Sequence, residues 1–88
     1  MAMVTSADDL RDAAAGLSDR QRHILGELAR GRGVKGIAQE LAISKVYTYT
    51  EIRAARDILG TPTITGAVVA SIMAGAVPMP GPDDLDIE

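Results

Sequence analysis

Helix-starting and helix-stopping residues alternate so closely between Leu17 and Val69 that this stretch has room only for short helices joined by tight turns. Ser18-Asp19-Arg20-Gln21 has the form of a capping box, in which the serine hydroxyl and the glutamine amide each accept from the other residue's backbone N–H. Asp19 stands where the positive end of the helix dipole favours an anion. Ile24, Leu25, Leu28 and Ala29 then recur on one face at helical spacing, and Gly31-Arg32-Gly33 stops the run. Val34, Ile37, Ala38 and Leu41 form the i, i+3, i+4, i+7 set of a second short helix. Ala42-Ile43-Ser44 reads as a three-residue turn whose serine caps a longer helix from about Lys45 to Leu59. Gly60 supplies the left-handed stop of that helix, and Pro62 prevents its continuation.

The flanks follow the same grammar. Ser6 with Asp9 three residues on marks a helix start; Leu10, Ala14 and Ala15 give it an apolar edge and Gly16 an end. From about Thr63 to Val77 a further helix is expected that is apolar nearly all round. Ala67, Ser71 and Gly75 recur every four residues along it beside Val68, Ile72, Met73 and Ala76. A helix without a charge needs a covering surface. The remaining tail is proline-rich and acidic, the composition of a flexible arm. The expected organisation is a helical extension at 1–16, a helical domain at 17–77 and an acidic, proline-rich flexible tail at 78–88.

Eighty-eight residues make one small domain. Tyr47 and Tyr49 are the only aromatics, so the core must be aliphatic, and the absence of cysteine excludes disulfides and thiolate metal sites. The stretch 61–80 has no charge, but Pro62, Pro78 and Pro80 with Gly66 and Gly75 break it up, so it does not read as a membrane span. Asp8, Asp9 and Asp12 make the start unlike a signal peptide, and a cytoplasmic location is expected. The net charge of −3 hides an asymmetry. Residues 17–60 hold eight basic groups against five acidic ones, whereas both ends are acidic. A mildly basic middle is compatible with phosphate contact.

The spacing in this middle region resembles the LuxR-type helix-turn-helix domain. Leu17, Ser18, Arg20, Gln21, Ile24, Leu25, Leu28, Ala29 and Gly31 fall on the first part of that family's pattern. Lys35, Ile37, Ala38, Leu41, Ile43 and Ser44 fall on the second part without a gap, and Leu59-Gly60 with Thr65, Ala67 and Val68 on its ending. Departures cluster in the third helix of the motif. Thr48 replaces a buried valine, Tyr49 a lysine, Glu51 a histidine and Arg56 an aliphatic residue; Gly36 and Gly66 replace glutamates. The resemblance implies an all-α fold, a bundle of four core helices with an additional short N-terminal helix. It further implies double-stranded DNA as the partner, with the Lys45–Leu59 helix in the major groove.

On a helix beginning near Lys45, the side opposite Thr48, Ile52, Ala55 and Leu59 carries Val46, Tyr49, Thr50 and Arg53, the expected base-reading set. Lys35, Lys45, Arg20 and Arg32 are the expected phosphate contacts. Because LuxR-type domains often dimerise through their last helix, Ala67, Val68, Ser71, Ile72 and Gly75 are the expected homodimer surface. The single histidine, His23, has no partners at metal-ligand spacing, and GRGVKG lacks the spacing of a phosphate-binding loop. No catalytic constellation can be assembled. The expectation is therefore a non-enzymatic transcription regulator with no cofactor, metal or evident small-molecule ligand. The other reading is a protein-binding helix-turn-helix adaptor that engages RNA polymerase, a sigma factor or another regulator, since acidic ends and Glu51 weaken the positive field.

Overall fold

In the computed structural model, which describes residues 6–85, hydroxyl side chains set most of the helix starts. Helix α1 (Ala7–Ala14) opens with Ser6, whose Oγ accepts from the Asp9 N–H at 3.1 Å. Helix α2 (Asp19–Ala29) opens with the full capping box: the Gln21 N–H donates to Ser18 Oγ at 3.0 Å, and the Ser18 N–H donates to Gln21 Oε1 at 2.9 Å. Helix α3 (Val34–Leu41) follows Gly33 without a side-chain cap. Ser44 caps α4 (Lys45–Leu59) through the Tyr47 N–H at 2.9 Å, and Thr63 caps α5 (Ile64–Met73) through the Gly66 N–H at 2.9 Å. Each cap satisfies an N–H that the first helical turn leaves without a partner, worth about 1 kcal/mol.

The turn between α3 and α4 is made by a left-handed residue. Ala42, at φ 56°, lets the Ile43 N–H reach back to the Ala38 carbonyl at 3.0 Å. Gly60, at φ 69°, does the same for α4, and the Thr61 N–H donates to the Arg56 carbonyl at 2.9 Å. A Cβ at φ > 0 is strained, so the glycine is the relaxed solution and the alanine the strained one.

Two groups of buried side chains share α2 and α4 between them. Ile24 of α2, Ile37 of α3 and Ile52 of α4 form the smaller group, which fixes the angle of the helix-turn-helix unit. Leu25 of α2 and Ala55 and Leu59 of α4 belong to the larger group, with Ala14, Leu17, Ala67, Ala70 and Val77. With no Phe or Trp in the chain, the alanines let helices approach closely and Leu and Ile supply the volume. Each fully buried Leu or Ile contributes about 1.5–3 kcal/mol, so the two groups together dominate stability.

Four expectations are corrected here: the end of α5, its outward face, the separate extension and the flexible tail. Helix α5 ends at Met73, not Val77, because Gly75 turns left-handed at φ 76° and the Ala76 N–H donates to the Ser71 carbonyl at 2.9 Å. Gly75 therefore lies outside the helix, while Ala67 and Ser71 are both 0% exposed and face the chain's own core. That stripe is the helix's inner side. Its free surface is carried by Val69 and Met73, at 49% and 74% exposure, with Val68 and Ile72 half-buried between. The expected N-terminal extension is part of the bundle, since Leu10 and Ala14 of α1 pack into the larger group. The tail, expected to be a flexible arm, folds back as far as it is described. Beyond the buried Val77, a 3₁₀ turn forms at Pro82–Asp84, and Arg30 Nε of α2 donates to the Asp84 carbonyl at 2.9 Å. The end of the expected tail, 86–88, and the first residues of the expected extension, 1–5, lie outside the described residues.

Candidate nucleic-acid interface

Helix α4 has two sharply different sides. Thr48, Ile52, Ala55 and Leu59 are buried, and the Thr48 hydroxyl is satisfied by donating to the Ser44 carbonyl at 2.9 Å. This places a polar residue at a core position without leaving an unpaired group. On the other side Val46 is 77% exposed and Tyr49 50%, and Thr50 and Arg53 are also exposed. All four expected base-reading residues thus share one shallow depression, which Ile52, Arg56 and Ile64 complete at its floor and edge. Tyr47 lies to the side, its ring centroid 5.7 Å from the Arg20 guanidinium carbon. That cation–π contact ties the start of α2 to the first turn of α4.

The nine basic residues separate into two groups by what they touch. Arg11 pairs with Asp8 at 3.5 Å, Arg22 with Asp19, Arg30 with Glu27 at 3.8 Å, and Arg32 with Glu40 at 2.7 Å. Arg56 donates to the Pro62 carbonyl at 3.1 Å. Among the described residues Arg20, Lys35, Lys45 and Arg53 form no ion pair, and all four are exposed. The first turns of α3 and α4 contain no acidic residue, whereas those of α1 and α2 hold Asp8, Asp9 and Asp19. Lys35 and Lys45 therefore reinforce the positive helix ends instead of being cancelled there, the arrangement an anion favours.

Arg32 is the exception among the expected phosphate contacts. Its guanidinium lies 2.7 Å from Glu40 and 3.6 Å from Glu27, and its side chain is only 26% exposed. His23 Nε2 is 2.9 Å from the same Glu40 carboxylate and 3.9 Å from Glu27. Sequence reasoning missed this cluster. The pair His23 and Glu27 is visible as i, i+4 on one helix, but Glu40 arrives from α3 only when Ile24 and Ile37 pack together. The ligand atoms of His23, Glu27 and Glu40 lie within 4.8 Å of one another, close enough for one cation, and the Arg32 guanidinium supplies positive charge to both carboxylates. The hydrogen bonds from His23, and next from Arg32, hold the Glu40 carboxyl below its ordinary value. The cluster acts as a clasp between α2 and α3 and holds the Arg32 guanidinium against two carboxylates.

Among the described residues no helix is long and apolar enough to cross a membrane. Residues 15–49 match the family model of the bacterial regulatory proteins of the luxR family, a segment that runs from the end of α1 through α2, α3 and the turn into the first part of α4. No curated protein and no solved structure matches the chain. The matched segment is thus similar to a LuxR-family helix-turn-helix, and the five-helix, strand-free arrangement of the described residues is consistent with a bundle built on such a unit.

Proposed function

We propose that this protein, built around a LuxR-family helix-turn-helix segment, is a sequence-specific transcription regulator of the cytoplasm that lays α4 into the DNA major groove. The observation that carries the reading is the sorting of its cations. Among the described residues, those that form neither an ion pair nor a hydrogen bond through the side chain sit at the start of α2, in the first turn of α3 and on α4, beside the exposed Val46, Tyr49 and Thr50. Lys35, Lys45 and Arg20 contact phosphates, and Arg53 reads guanine through O6 and N7. Two copies pair through the outer side of α5, where Val69 and Met73 stand exposed on a helix without a charge. Such pairing sets two recognition helices about one DNA turn apart and makes the target an inverted repeat.

A second reading is favoured by the exposure of Val46, Tyr47 and Tyr49, an apolar patch that also suits a protein surface such as RNA polymerase or another regulator. Fluorescence-anisotropy binding to a pool of promoter fragments separates the two. Salt-dependent binding lost in Arg53→Ala and Tyr49→Ala supports the DNA reading. No affinity for any duplex, together with stoichiometric binding to purified polymerase, overturns it in favour of the adaptor.

A further inference from the structure

The exposed side of α4 is poor in hydrogen-bond donors. Val46 has none, and it is the most exposed large apolar residue among those described. Thr50 stands one turn further along the same side, and its hydroxyl proton is directed at the Val46 carbonyl, 3.0 Å away. Toward a partner it offers a methyl group and at most an acceptor. Thr48 is buried, so its hydroxyl is absent from this surface. Tyr49 adds an aromatic face beside Val46 and Thr50, with one phenolic hydroxyl at the far end of the ring. The charged donor of the depression that the fold leaves unoccupied is the guanidinium of Arg53, since Arg56 donates to Pro62.

Base edges differ in what they ask of such a surface. Guanine presents two acceptors, cytosine a donor, adenine a donor and an acceptor, and thymine one acceptor with a methyl group. Val46 has nothing to give the first three and Thr50 at most an acceptor, whereas both bury the thymine methyl. We infer that the first two turns of α4 select thymine by contact of Val46, Thr50 and Tyr49 with its C5-methyl group, and that Arg53 adds a single guanine. Arg53 lies seven residues beyond Val46, a rise of about 10 Å along the helix axis. The guanine therefore lies beyond the base that Val46 touches, at one end of the thymine contacts. The inference rests on the DNA reading above and specifies its target class, thymine-rich half-sites flanked by guanine.

Replacing thymine by uracil removes the methyl and leaves every hydrogen-bonding atom in place. A duplex is first selected from a random library by the full-length protein, and its thymines are then exchanged for uracil within the half-site or outside it. Inside the half-site, binding should weaken about three- to fourfold per methyl removed, the burial of one methylene-sized group. Uracil outside it should leave binding unchanged. In Val46→Ala, a change at a site 77% exposed and without a core contact to lose, the uracil penalty should shrink. A selected duplex that binds equally well with uracil throughout its half-sites overturns the methyl inference while the DNA reading stands. Failure to select any duplex overturns the DNA reading, and this inference with it.

Discussion

Changing Arg20, Lys35 and Lys45 together to alanine removes the three exposed cations assigned to phosphate while leaving the core untouched. The fold should lose little, because none of the three forms an ion pair. The cation–π contact of Arg20 with Tyr47 is worth about 0.5–1 kcal/mol. DNA affinity should respond far more. Each neutralised phosphate contributes about −0.9 to the slope of log K against log salt, so three per protomer give about −2.7, and about −5.4 for a pair. Between about 50 and 200 mM salt, that slope weakens a single protomer about 40-fold and a pair about a thousandfold or more. The assay is anisotropy of a labelled duplex across a salt series, with circular-dichroism melting to verify the fold. Arg32→Ala is the counterpart. Its guanidinium serves Glu27 and Glu40, so its loss should lower the melting temperature and leave the salt slope alone. A triple variant that keeps the wild-type slope would refute the sorting of cations, as would an Arg32→Ala variant whose slope falls as much as that of Lys45→Ala.

Further outcomes are open to measurement. Thr48→Val should raise stability to urea by about 1 kcal/mol, because the Ser44 carbonyl keeps the Thr48 N–H at 3.0 Å and a buried hydroxyl becomes a methyl; a loss would mean that the hydroxyl is needed. Glu40 has a lowered folded-state pKa, so its contribution is present above the unfolded carboxylate value and disappears as pH falls through the folded one. Glu40→Gln should therefore be less stable at neutral pH and show a shallower acid dependence in thermal melts, and identical profiles would dismiss the clasp. Ser71→Lys should unfold the protein, since Ser71 is fully buried with Oγ donating to the Val68 carbonyl at 2.7 Å. Met73→Asp, on the free side of α5, should instead leave a folded monomer in sedimentation. A dimer that survives Met73→Asp rules out that side as the interface.

Local chemistry made much of this molecule legible from its order of residues. Ser18 with Gln21, Ser44 and Gly60 each act within about one turn of the helix end they define, so the start of α2 and both ends of α4 are legible without any packing. The exposed side of α4 was legible for a related reason: Thr48, Ile52, Ala55 and Leu59 fix the buried side by spacing, and Val46, Tyr49, Thr50 and Arg53 must then lie opposite. Helix α5 lacked that contrast. Being apolar all round, it offers no sequence signal for which side turns inward, and only packing puts Ala67 and Ser71 on the inner one. Its end was misplaced because an alternating small and apolar run continues past Gly75, where only the left-handed turn marks the stop.

The order of residues thus determined the helices, the limits of α4 and its outward side, since capping and periodicity act between neighbours in the chain. Tertiary structure alone decided which cations remain available. Arg32 looks like any exposed arginine until α3 brings Glu40 to it, and Arg30 finds the Asp84 carbonyl fifty-four residues away. The inner side of α5 and the return of the tail onto α2 were settled in the same way. Those choices depend on contacts between residues far apart along the chain, and such contacts exist only once Leu25, Leu59 and Ala67 have packed together.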